Sequence, residues 1–254
     1  MKKLRKPVAI TRRQALLAGL TPVGSLILTG CSKELPPTYG NILRMGDTFT
    51  YAAHHALLLK QALVKEFTRN DISSFPAIGV TDPGDQKIRR PSQTYRALQR
   101  DGFRDFRLSV EGLVAKPMSL SLPELQRLPS RTQITKHMCE EGWTAIAEWT
   151  GVPLSRVLDA AGVQPAARFV TFLSLDGRAE SIDMLDALHP QTLLAYGMNG
   201  AEIPVRHGAP LRVRVERQLG YKSVKYVQQI VVSDTFPDTG TGIIKAGWAW
   251  YAGI

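Results

Sequence analysis

Cys139 is the one cysteine in the body of this 254-residue chain; the other, Cys31, closes an export-type N-terminal segment. A lone mid-chain thiol forms no intramolecular disulfide and cannot build a cysteine-rich zinc or iron–sulfur site. The fold must therefore rest on an ordinary hydrophobic core. The 224 residues after position 30 suffice for one large domain. The thiol itself has three available fates: nucleophile, single soft ligand to a metal held mostly by something else, or inert core.

The first 30 residues carry Lys2, Lys3, Arg5, Lys6, Arg12 and Arg13 and no acid, then run through a moderately apolar stretch to Leu28. This is the charged-then-apolar order of a secretory signal, too short and too broken by Gly19, Pro22 and Gly24 to read as a membrane span. Arg12-Arg13 resembles a twin-arginine signal. Leu28-Thr29-Gly30-Cys31 resembles a lipobox, whose cysteine becomes an acylated N-terminus. Residues 1–31 are read as signal with lipobox, 32–40 as a tether and 41–254 as the folded domain. The expected location is the periplasm, with a lipid anchor at Cys31; an ordinary signal cut nearby is the alternative. Twin-arginine export carries folded proteins, often with an inserted cofactor, so the signal hints at one. Six signal cations account for most of the formal +10, leaving the remainder near +4. That balance, with no basic stretch interleaved with aromatics, argues against nucleic acid as a partner.

Along the mature chain, Tyr51 to Thr68 places Leu57, Leu58, Gln61, Val64 and Phe67 near a helical period. Residues 75–91, rich in Pro, Gly and Asp, read as a long irregular loop of the kind that lines sites. Ser121-Leu122-Pro123-Glu124 is a capping box opening a short helix, and a strand over 132–137 delivers Cys139 at its end. A second helix spans 153–161 and stops at Gly162. Strands are expected at 106–114, 169–175 and 224–232, with Asn199-Gly200 as a hairpin turn. Strands thus dominate the second half, and the pattern predicts an α+β fold with a mixed sheet and short helices.

Residues 204–225 hold Arg206, Arg212, Arg214, Arg217, Lys222 and Lys225 against only Glu216, interrupted by the small-residue turns 207–210 and 219–221. Cations beside exposed backbone N–H groups suit a phosphate or pyrophosphate, although a solvated strand face gives the same alternation. No dinucleotide fingerprint, P-loop, HExxH, CxxCH or GxSxG is present, and no two of the five histidines stand at i,i+4. His137 and Cys139 share a strand face, but same-face neighbours lie roughly 7 Å apart, which strains a direct nucleophile pair.

The combination Cys139-x-Glu141-Gly142-Trp143, Trp149-Thr150-Gly151-Val152-Pro153-Leu154, Met198-Asn199-Gly200, His207-Gly208-Ala209-Pro210-Leu211-Arg212 and Gly220-Tyr221-Lys222-Ser223-Val224-Lys225, with the aromatic stretch 247–254, resembles a known family. It is that of the bacterial molybdopterin-dependent oxidoreductases of the sulfite oxidase superfamily, in the branch that includes the periplasmic methionine sulfoxide reductase catalytic subunit. The resemblance implies the sulfite-oxidase-type molybdopterin-binding fold and a single Mo-molybdopterin cofactor (one pyranopterin, one molybdenum). It implies Cys139 as the molybdenum ligand, with Ser174, His207, Arg212, Ser223, Val224 and Lys225 holding the pterin and its phosphate. Asp47 and His54 fall near the family's N-terminal contact segment. Glu141 is a candidate proton relay or a structural carboxylate. The implied reaction is two-electron oxygen-atom transfer, with electrons from an external partner such as a membrane cytochrome b or a periplasmic cytochrome.

Two departures bear on the substrate. Position 207 is histidine where reductase relatives can have asparagine. Glu140 and Glu141 follow the cysteine where sulfite oxidases carry arginine, and paired carboxylates raise the cost of binding a dianion. A neutral oxygen donor, a sulfoxide or N-oxide, is therefore expected over sulfite. A non-catalytic pterin- or anion-binding lipoprotein and a cysteine hydrolase are the rival readings.

Overall fold

The computed structural model describes residues 45–57, 62–237 and 249–254; the signal, Cys31, the tether and the side chain of Asp47 lie outside them. Its architecture is the α+β arrangement expected: two five-stranded sheets with short helices. The first sheet contains β1 (Arg107–Gly112), β2 (Met118–Ser121), β5 (Phe169–Ser174), β6 (Ala179–Asp183) and β10 (Val227–Ser233), in the order β2-β1-β10-β5-β6. It is mixed, because β1 pairs parallel to β10 while its other pairs are antiparallel. The second sheet runs β3 (Arg131–Met138), β4 (Thr144–Pro153), β7 (Leu193–Met198) and β8 (Ala201–Glu202), with β9 (Arg212–Arg214) also paired to β7.

Local chemistry explains several element boundaries. Glu124 accepts from the Ser121 N–H at 2.8 Å and the Ser121 hydroxyl accepts from the Glu124 N–H at 3.3 Å, which closes the capping box of helix α3 (Leu122–Gln126). Asn199 and Gly200 take φ of 52° and 78° and join β7 to β8 as the hairpin expected. The helix expected over 51–68 is instead α1 (Met45–Leu57); Glu66 forms an antiparallel bridge with Thr135, and the Phe67 N–H donates to the Ile134 carbonyl at 2.8 Å. Apolar spacing at 64–67 thus serves an extended segment beside β3. Helix α2 (Gln93–Arg100) turns a narrow apolar face, Tyr95 and Leu98, to the core. It starts on a Ser92 cap and buries only Tyr95.

The main core lies between the sheets. Leu108, Val110, Phe172, Ile230 and Val232 of the first meet Val152, Leu194 and Val213 of the second, and helix α4 (Leu154–Ala161) adds Leu154, Val157, Leu158 and Ala161. A smaller cluster of Ala147, Trp149, Leu193, Ala195, Met198 and Ile203 packs with Phe75. The long 75–91 loop is thereby joined to the sheet that carries Cys139. Truncating a fully buried ring between the sheets leaves a void that neighbours cannot fill. Phe172→Ala is expected to cost about 3–5 kcal/mol in urea unfolding.

Candidate active site

Strands β3 and β4 form a hairpin whose last pair is Met138 with Thr144, and the intervening turn carries the thiol. The Cys139 N–H donates to the Trp143 carbonyl at 2.9 Å and the Gly142 N–H to the Cys139 carbonyl at 3.1 Å. Gly142 sits at φ 90°, a conformation that side chains resist, so glycine is what lets the turn double back. Cys139 is 5% exposed; its Sγ lies 3.5 Å from both the Glu141 N–H nitrogen and Glu140 Oε2. Burial pushes the thiol up to about 11; the Glu141 N–H opposes that rise, while the Glu140 and Glu141 carboxylates reinforce it. Such a sulfur is no activated nucleophile, and it becomes a thiolate when a cation binds it. The cysteine–histidine pair left open by the sequence is not formed: Nδ1 of His137 goes to Arg214 at 2.7 Å, and the Cys139 sulfur meets Glu140 and the Glu141 N–H instead.

A cleft of about 150 Å³ opens beside this turn. Glu140, Glu141, Trp143 and His137 line it, together with Gly220 and the 75–79 segment. Arg178, Arg206, Arg212 and Lys225 contribute its cations, with His207, Ser223 and Asp176 beside them. Burial lowers Arg212 to about 9, aided by Arg214. Burial likewise lowers Lys225 to about 8 and His207 to about 4, with Arg212 the largest charged contributor in each case. These groups also destabilise one another's protons, which an anion among them would relieve. Arg212 donates to the His207 carbonyl at 2.8 Å and the Ser223 carbonyl at 3.2 Å, yet its buried Nε has no partner. A phosphate-bearing pterin fits this donor set, and a soft metal fits the thiol.

The sequence-predicted residues divide into three groups. Glu141, His207, Arg212, Ser223 and Lys225 line the cleft, and Cys139 lies between lining residues. Ser174 and Val224 support it from behind. The Ser174 hydroxyl is 2.7 Å from both the Asp176 carboxylate and the Lys225 carbonyl, while the Val224 side chain enters the main core and its carbonyl accepts from Val213 N–H at 2.8 Å. His54 lies elsewhere, edge-on to Tyr251 with ring centroids 5.8 Å apart and Nδ1 3.3 Å from the phenol oxygen. Lys225 also has a role the sequence did not disclose. Its ammonium donates to the carbonyls of Ile78 (2.9 Å), Arg206 (3.4 Å) and Val80, which fastens the 75–80 loop to the cleft.

Sequence reasoning missed Phe75, Asp176 and Arg178, and it named His137 and Arg214 without foreseeing that they pair. Phe75 packs its ring 5.0 Å from His137, 5.8 Å from Trp143, 5.5 Å from Trp149 and 5.5 Å from His207, joining four separate segments. No local spacing signals such a contact. Asp176 and Arg178 flank the Gly177 turn just beyond Ser174, so the carry-over of Ser174 was the available pointer to them.

A cleft that combines one unactivated buried thiol with a crowded cationic wall defines a cofactor-dependent redox centre better than a hydrolase. Comparisons with known proteins agree. Residues 95–240 match the oxidoreductase molybdopterin binding domain family. Over 254 aligned residues the chain is 32% identical to the Azospira oryzae protein named "Putative protein-methionine-sulfoxide reductase subunit YedZ1", covering 99% of this chain and 92% of that one. It is also 32% identical over 248 residues to the protein-methionine-sulfoxide reductase catalytic subunit MsrP of Xanthomonas campestris pv. campestris, covering 90% of this chain and 71% of the relative. Among solved structures, the sulfane dehydrogenase SoxCD of Paracoccus pantotrophus superposes with a TM-score of 0.50 at 27% identity, over 52% of this chain and 39% of that one. This chain belongs to the molybdopterin-binding oxidoreductases of the sulfite oxidase superfamily.

The cationic wall has a measurable consequence. A lysine lowered from 10.5 to about 8 keeps its charge below pH 8 and loses it above, so anion affinity is greatest below that point and fades as pH rises. Pyrophosphate is expected to raise the melting temperature of the cofactor-free protein more at pH 7 than at pH 9. Lys225→Met should weaken that pH dependence, with Arg212 (about 9) keeping a smaller share of it, as read by differential scanning fluorimetry.

Proposed function

We propose that this chain is an exported oxidoreductase holding one molybdenum and one pyranopterin, and that it transfers oxygen from sulfoxide-like substrates. The observation that carries this reading is the buried Cys139 thiol on a turn whose next two residues line the same cleft as Arg212, His207 and Lys225. The methionine-sulfoxide reductase names of the relatives support the substrate class. When bound, such a cofactor supplies two-electron oxygen-atom transfer at molybdenum.

The chain's own residues provide the surroundings. Cys139 would ligate the metal. Arg212 and Ser223, with the charge of Lys225 and the polar ring of His207, would hold the pterin and its phosphate, while Ser174 and Val224 keep the supporting backbone in place. Asp47 and His54 are retained as N-terminal contact candidates by resemblance alone. Glu141, exposed on the turn, accepts a hydrogen bond from the Trp143 indole N–H at 3.1 Å. That bond holds the carboxylate at the cleft wall, where it would take up a proton from solvent and relay it into the site. Glu140 and Glu141 together oppose a dianionic substrate, which favours a neutral sulfoxide over sulfite.

Residues 1–31 would serve as twin-arginine signal and lipobox, 32–40 as tether and 41–254 as the catalytic domain, anchored in the periplasm through Cys31. No helix among the described residues is long and apolar enough to cross a membrane. The relatives are named as subunits, which supports electron delivery by a separate protein, a membrane cytochrome b or a periplasmic cytochrome.

Protein made in a host that synthesises molybdopterin should contain about one molybdenum per chain, and Cys139→Ser should lose it or hold it labile. Folded wild-type protein without molybdenum would overturn the reading. Glu141→Gln should retain the metal but lower kcat for sulfoxide reduction by roughly 10²-fold, the usual range for losing a proton-transfer group.

A further inference from the structure

His137 stands two residues before Cys139 on β3 and lines the same cleft, yet none of the roles above uses it. Its Nδ1 lies 2.7 Å from Nη1 of Arg214, and both side chains are buried. A guanidinium has only N–H donors and stays protonated under all ordinary conditions. Nδ1 is therefore the acceptor, and the ring's one proton resides on Nε2. Arg214 is itself prevented from turning away. Its Nε and Nη2 donate to the two Glu216 oxygens at 3.1 and 2.8 Å, and Gln133 donates to the same carboxylate at 3.1 Å.

The plane of the imidazole is fixed as firmly as its tautomer. The rings of Phe75 and Trp143 lie 5.0 and 5.5 Å from it, centroid to centroid. Its Nε2–Cε1 edge faces Gly220, another cleft residue, where any Cβ would strike the ring. Among the described residues no hydrogen-bond partner meets Nε2. The result is an uncharged N–H donor, held from behind and flanked by two apolar faces, on the wall beside the proposed metal ligand.

We infer that the Nε2–H of His137 is a preset donor for the oxygen of a neutral S=O substrate, with Phe75 and Trp143 receiving the apolar substituent on its sulfur. This assignment rests on the proposed sulfoxide reading and names the residues that select for it. A sulfoxide offers one strongly accepting oxygen and a polarizable, apolar remainder that sits well on aromatic rings. An uncharged donor binds that oxygen without the net positive charge an oxyanion would exploit, and Glu140 and Glu141 on the same surface disfavour an oxyanion further. Arg214 is the positioning residue, acting only through the imidazole.

The test uses N-acetylmethionine sulfone, which keeps the S=O acceptor, binds without being turned over and is titrated onto molybdenum-loaded protein by calorimetry. His137→Phe preserves the aromatic packing and removes the donor, whereas His137→Gln replaces it with an amide N–H. The sulfone dissociation constant should rise about tenfold in the Phe variant, the size of one lost hydrogen bond, and return to within about threefold in the Gln variant. The KM for the matching sulfoxide should follow the same order. Nitrogen-15 NMR of wild-type protein should show a neutral His137 protonated at Nε2. Equal sulfone affinity in wild type and the Phe variant, no sulfone binding by wild type, or a proton on Nδ1 would each overturn the assignment. If wild type binds sulfone but reduces no sulfoxide, the proposed reaction fails, while the His137 comparison still decides the donor role. Should His137→Phe fold poorly, Arg214→Lys, which keeps a cation but loses the two-point grip on Glu216, gives the second arm. It should weaken sulfone binding without loss of molybdenum, and unchanged affinity there counts against the assignment.

Discussion

The Arg214 guanidinium is the fixed point from which the rest of the site is organised. It is 1% exposed, grips Glu216 with two nitrogens, holds His137 with a third and lies 4.7 Å above the Trp149 ring. Those four residues come from β9, the segment after it, β3 and β4. One side chain therefore sets the distance between the strand that delivers the thiol and the strand that delivers the cations. Burying an ion pair brings little net stability, because desolvation cancels most of the attraction. Removing one member is different, since it leaves an uncompensated buried charge and costs about 3–5 kcal/mol. The pair's value lies in alignment, with the stability of the fold supplied by the apolar layer between the sheets.

From that point the electrostatics of the cleft follow. Arg212 is the neighbour of Arg214 on the same strand face two residues away, and it too stacks over Trp149, at 4.8 Å. Glu216 is engaged by Arg214, so Arg212 must share what compensation remains, and its Nε is left without a partner. Its charge in turn lowers Lys225 and His207. Like charges gathered in a partly buried site repel one another, so an entering phosphate would offset that repulsion. Burial, reinforced by these charges, keeps His207 neutral near pH 7, which makes it a polar contact there and leaves the arginines and the lysine as the charge.

How much of this was legible in the sequence depended on whether the cause was local. The capping box at Ser121, the Asn199-Gly200 hairpin and the helix ending at Gly162 were readable, because each is decided by a few adjacent residues. Strand β4 was not, since both faces of Thr144–Pro153 are largely buried and the alternation that announces a strand is lost. Strand β6 hid for the opposite reason: Ala-Glu-Ser-Ile-Asp looks like a loop, yet every residue is buried, with Glu180 meeting Lys222 at 3.3 Å from a distant segment. In the cleft, the residues after Pro204 were readable as a cationic run. The pairing of His137 with Arg214 was not, because 77 residues separate them and neither side chain signals the other.

Lys225 ties the cationic wall of the cleft to the loop that faces it. An ammonium has three donors, and here all three reach carbonyls, of Ile78, Val80 and Arg206. Toward a phosphate this lysine therefore acts chiefly as a charge, and direct contact falls to Arg212, Ser223 and exposed backbone. What its donors accomplish is mechanical. They hold the loop whose first aromatic, Phe75, seats the His137 ring and walls the cleft beside Trp143. The residue proposed to offset the cofactor's anion thus also places the apolar surface against which a substrate would rest. Cofactor affinity and substrate shape are joined through one side chain, so a change at position 225 should be felt at both.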